Sequence, residues 1–133
     1  MKRAGWVLAF LGALALGACG DDRPEGPGSF TGEVRSSLPS VGAVIVEITG
    51  TGIEAVEGAG STLAFGDGAA QGAEGGVQTR RYILVNEASG TLAFTVRVAE
   101  LAEGHPAVVV LAAVDADNQP ITSLVSFSVD LSR

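Results

Sequence analysis

A single cysteine, Cys19, leaves no intrachain disulfide to be made. Any compact body in this chain must therefore be held by packing and hydrogen bonds rather than by covalent staples. Histidine also occurs once, at His105, between Gly104 and Pro106 in a turn. One imidazole does not build a zinc site, and the sequence places no nucleophile and orienting acid beside it for catalysis. The one lysine, Lys2, lies at the very start, and the glycine-rich stretch from Gly66 to Gly76 holds no GxGxxG. A nucleotide-phosphate cradle is excluded on both counts. Aromatic rings are scarce: Trp6, Tyr82 and five phenylalanines.

What the amino terminus does have is order. Met1-Lys2-Arg3 is basic, and Trp6 to Leu16 is apolar and uncharged. That is the n-region and h-region of a signal peptide, too short for a membrane-spanning helix of about 18 or more apolar residues. Leu16-Gly17-Ala18-Cys19 closes it. This resembles the lipobox of bacterial lipoproteins, with Leu16, Gly17 and Ala18 as the cleavage motif. The resemblance implies that Cys19 is lipidated and becomes the first residue of the mature chain. One acyl chain holds a protein only reversibly, whereas two or three on one residue anchor it firmly. Gly20, rather than Asp, follows the cysteine; the resemblance to lipoproteins then implies the outer membrane or cell surface rather than retention at the inner membrane.

With residues 1–18 removed, six arginines face fifteen acidic residues, a net of −9. Such a chain is not a nucleic-acid binder, since phosphate backbones need a basic patch. Residues 19–29 are dominated by Gly, Pro and charge and read as a flexible tether. From Phe30 to Arg133 about 100 residues remain, enough for one domain.

That domain has the period of strands. Val44, Val46 and Ile48 alternate with Ile45 and Glu47; Leu92, Phe94, Val96 and Val98 alternate with Ala93, Thr95 and Arg97; Val125, Phe127, Val129 and Leu131 alternate with Ser126, Ser128 and Asp130. Each set turns one face inward. Ala107 to Val114 is continuously apolar and is predicted as a central strand covered on both faces. Shorter strands are predicted over 30–37, 53–56, 62–65 and 80–86, and Val98 to Glu103 is the one stretch that could form a turn of helix instead. Turn signals at short intervals complete an all-β prediction: a single β-sandwich of about seven to nine antiparallel strands.

Val41-Gly42-Ala43-Val44-Ile45-Val46-Glu47-Ile48, Gly52-Ile53-Glu54-Ala55-Val56 and Ser89-Gly90-Thr91-Leu92-Ala93-Phe94-Thr95-Val96 resemble, in that order, strands of the cohesin and carbohydrate-binding-module type of sandwich. The likeness runs from about Val41 to Leu131. It implies docking of an envelope protein partner or binding of a glycan, without catalysis.

Three clusters are candidates for chemistry. Asp115, Asp117 and Asn118 present oxygens at a spacing that would suit Ca²⁺. The EF-hand pattern fails there, and Asp and Asn are also the residues of a hairpin turn, the reading placed first. Tyr82 and Phe30 are the rings expected to be exposed, with Phe94, Phe127 and Phe65 assigned inward. Arg80 and Arg81 next to Tyr82 would clamp a ligand carboxylate, or pair with glutamates across the sheet. Asp67, Glu87, Asp115 and Asp117 are the carboxylates from which a hydrolytic pair would have to come.

Overall fold

The computed structural model describes residues 24–66, 76–87 and 91–133. Cys19 and the Leu16-Gly17-Ala18 motif lie outside the described residues, as does Asp67.

The described chain is all-β. In order come β1 (Gly28–Ser36), β2 (Val41–Thr51), β3 (Ile53–Ala59), β4 (Thr62–Gly66), β5 (Val77–Asn86), β6 (Leu92–Val98), a 3-10 turn (Leu101–Glu103), β7 (Ala107–Asp115) and β8 (Phe127–Ser132). They form two antiparallel four-stranded sheets. Sheet A has the order β3-β6-β1-β8 and sheet B the order β4-β5-β2-β7. Phe30, Val34, Phe94, Val96 and Val98 of sheet A share one buried cluster with Val44, Val46, Ile48 and Leu84 of sheet B. Sequential strands alternate in direction, so each turn belongs to one of two ends. Loops 37–40, 60–61 and 116–126 lie at one end, and the start of β1, Gly52, the 3-10 turn and the end of β8 at the other.

The predicted alternation holds closely in β6, where Leu92, Phe94, Val96 and Val98 are all buried. The helical turn falls at Leu101–Glu103, and the Glu100 carboxylate accepts from the Ala102 N–H. The same carboxylate accepts from the Gly26 N–H at 2.6 Å, and Leu101 N–H donates to the Gly26 carbonyl. Residues 26–29, predicted as tether, therefore belong to the domain. β3 and β4 turn from one sheet to the other through Ala59-Gly60-Ser61-Thr62, where Gly60 has φ 62°, a value costly for other residues. The Thr62 hydroxyl then accepts from Ala93 N–H of sheet A at 3.0 Å, fastening that side of the core.

Four expectations about facing are corrected. The run from Ala107 to Val114 is an edge strand of sheet B, not a central one. Val108 and Val110 pack against the core while Val109 and Leu111 are exposed. A register shift between Ile45 and Val46 leaves Leu111 as the extra residue, after which Ala113 turns inward. Leu63 and Phe65 point outward, because Thr62 and Ala64 hold the inward positions of β4. Val125 lies in the turn before β8 and is almost fully exposed. Phe30 and Tyr82, expected as exposed rings, are buried.

Candidate docking face

The outward sides of the two sheets differ in chemistry. On sheet A, Thr31, Glu33 and Arg35 of β1 lie beside Thr95 and Arg97 of β6 and Ser128, Asp130 and Ser132 of β8. Arg35 bridges to Glu33 and Asp130, and Arg97 to Glu54. That is the wetted side expected of an antiparallel sheet.

Sheet B is largely apolar on its outer side, apart from the Arg81–Glu47 pair and the Thr49–Thr79 pair beyond it. The register sets its residues in rows across the strands. Leu63, Val85, Ala43 and Val114 form one row, and Phe65, Ile83, Ile45 and Ala112 the next. Arg81, Glu47 and Val109 form a third. Phe65 is 56% exposed, Val109 55% and Ile83 45%. The only charges in these rows are Arg81 and Glu47, which face each other across β5 and β2 at 2.9 Å. An exposed apolar sheet face of this kind is a candidate interaction surface.

Its signal in the sequence is the doubly apolar run. Val44-Ile45-Val46 and Tyr82-Ile83-Leu84-Val85 leave no polar residue for solvent on either side. Reading only the inward half of each alternation missed Leu63, Phe65, Ile83, Val109 and Leu111.

The other candidate residues are separated by the fold. Arg80 and Arg81 are consecutive on β5 and point to opposite sides. Arg81 is exposed and paired with Glu47, whereas Arg80 is 6% exposed between the sheets. They do not clamp one carboxylate, and Tyr82, at 6% exposure, offers no sugar-stacking surface.

Asp115 Oδ1 accepts from the Asp117 N–H at 2.9 Å and the Gln119 N–H at 2.8 Å, and Asn118 takes φ 60°. This is an Asx-type turn closing the β7 end. No group of three His, Cys, Asp or Glu side chains is poised for a metal among the described residues. Asp115→Ala removes the acceptor of both bonds and is expected to lower stability by about 1–2 kcal/mol. Wild-type melting temperature is expected not to move with millimolar Ca²⁺. A calcium-dependent rise that Asp115→Ala abolishes would instead identify the turn as a metal site.

Glu87 and Asp115 line one shallow cleft of about 450 Å³ with Asn86 and Asn118. The Asp115 carboxylate is already engaged there by its own backbone, and Asp117 points into the exposed turn. His105 lies against Phe30 with ring centroids 4.7 Å apart and planes tilted by 44°, and the Arg133 guanidinium lies 5.6 Å from the centre of the same ring. All three stand at the end where the chain enters the domain, and His105 is exposed in its turn.

No family model, curated protein or solved structure matches this chain. No helix among the described residues is long and apolar enough to cross a membrane.

Proposed function

We propose that this protein is a lipid-anchored module of the bacterial cell envelope, a non-catalytic β-sandwich that docks a protein partner. The observation that carries the docking role is the apolar outer face of sheet B set against the polar outer face of sheet A. One side is finished for water and the other for contact. The anchor rests on the lipobox-like Leu16-Gly17-Ala18-Cys19 and on the absence of any second cysteine that Cys19 would pair with. The likeness of the Val41–Ile48, Gly52–Val56 and Ser89–Val96 segments to cohesin strands, read from the sequence, is a further ground for docking.

The geometry of the chain supports the same reading. The tether enters at the end holding Gly26, Gly52 and the 3-10 turn. Both sheet faces therefore run away from the point where the tether joins the domain.

Two measurements test this. Intact-mass analysis of the native product is expected to show a chain starting at Cys19 and carrying acyl groups. A chain still starting at Met1, or without acyl mass, overturns the anchor. Pull-down from envelope extracts is expected to recover a partner with the wild type and to lose it with Phe65→Asp. Recovery unaffected by that substitution removes sheet B from the interface.

A further inference from the structure

We infer that the occupant of the sheet B face is a second copy of this chain, in a two-fold dimer whose axis runs along the strands. This rests on the docking reading above and deepens it by naming the partner.

The register makes the face complementary to itself. A two-fold axis parallel to the strands, midway between the packed faces, keeps each row at its height and exchanges left for right. β5 then lies over the partner's β2, and β4 over the partner's β7. Arg81 of one copy meets Glu47 of the other, and the reverse pair forms by symmetry. In the row above, Phe65 falls opposite Ala112, a large side chain against a small one, and Ile83 opposite Ile45. In the next row, Leu63 faces Val114, and Val85 faces Ala43. The twist of packed sheets turns the outer rows away from strict alignment, so the match is best in the middle row, where Ile83 meets Ile45, and the charge pairs flank it on the two central strands.

Charge singles out the same partner. The mature chain carries six cations against fifteen acids, so two copies repel each other over most approaches. The three rows of sheet B hold one cation and one anion, and this neutral face is where like copies meet without that penalty. No cationic cluster there serves an anionic lipid surface.

The size is sufficient. Four strands spaced about 4.8 Å apart, averaging about nine residues at roughly 3.3 Å each, give a whole sheet face on the order of 550 Å², of which the three rows span about two thirds. Side-chain relief raises the whole face toward the roughly 600–1,000 Å² per partner of a specific interface.

Direction also favours this axis over its rival. β7 is an uncharged edge from Ala107 to Val114, a strand that invites pairing. Antiparallel pairing of two β7 edges would send the two entering chains to opposite ends. The axis along the strands brings both Gly26 residues to the same end, as two copies tethered to one membrane require. Tethering raises the local concentration, so a modest interface suffices.

The test is light scattering on the full chain in detergent, with the micelle mass subtracted. The wild type is expected to give the protein mass of two chains at about 100 µM and to dissociate on dilution, and Ile83→Glu to weaken association at least tenfold. Arg81→Glu is expected to weaken it, and Glu47→Arg with Arg81→Glu to restore it. Circular dichroism of each variant confirms that the fold is kept. A wild type of single-chain mass overturns the dimer, and so does an Ile83→Glu variant that still associates like the wild type. If the wild type is single while Phe65→Asp still loses an envelope partner, the docking face stands and its occupant is another protein. If Phe65→Asp changes neither, both readings fall.

Discussion

Phe94→Ala is expected to unfold a large fraction of this protein near physiological temperature. Phe94 is fully buried and pairs in register with Gly32 of β1. A Cβ placed on Gly32 would collide with the Phe94 ring, so the ring occupies the space the glycine leaves. Removing a buried phenylalanine costs about 3–5 kcal/mol, because transfer and cavity terms add. A domain of this size holds roughly 5–15 kcal/mol in all. The melting temperature is therefore expected to fall by roughly 15–30 °C, at about 4–8 °C per kcal/mol. Urea titration checks the loss directly, since the midpoint moves while the slope stays constant. Gly32→Val should destabilise alone by overpacking and lose less beside Phe94→Ala, where the cavity receives it. The double-mutant cycle is thus expected to show favourable coupling of about 1 kcal/mol or more. Coupling near zero would mean that ring and glycine do not share the space.

Phe94 is also where the chain is most legible. Its strand alternates in the sequence and in the structure alike, because β6 has a buried inner side and a mostly polar outer one. Legibility fails where that contrast disappears. Ala107 to Val114 has no polar residue to mark solvent, so an edge strand reads as a central one. Being an edge is a property of sheet order, and sheet order is set by long-range pairing that composition does not record. Leu63 and Phe65 fail for a related reason. Their inward neighbours are Thr62 and Ala64, and Thr62 is buried because its hydroxyl caps a backbone N–H of the opposite sheet. A polar residue inside and a phenylalanine outside reverse the simple rule, and both occur in sheet B, whose outer side is largely apolar. Tyr82 was misplaced by its neighbours: two arginines suggest solvent, yet alternation sends Arg80 and Tyr82 inward together.

Arg80 is the second position with a large expected effect, of opposite sign. Its guanidinium sits between the sheets at 6% exposure, beside Ile48 in register. Its Nη1 reaches only the Glu54 carbonyl at 3.5 Å, the outer limit of a hydrogen bond, and its Nε has no partner. Gln78, two residues earlier on the same side of β5, has a buried Oε1 that is also unpartnered. A donor and an acceptor are thus both desolvated without meeting each other. A buried charge without a carboxylate carries a desolvation cost of several kcal/mol that little here offsets. Met has a similar reach and no charge, so Arg80→Met is expected to stabilise the domain by about 1–3 kcal/mol. That corresponds to a rise in melting temperature of roughly 5–15 °C. Arg81→Met, one residue away, removes an exposed ion pair and is expected to change stability by less than about 1 kcal/mol. The contrast between neighbours on one strand separates burial from charge, since both lose the same formal charge. Loss of stability in Arg80→Met would mean that the guanidinium is held in the folded protein by an acceptor stronger than the Glu54 carbonyl. The expected gain would mean that this charge is kept in the core for something other than stability.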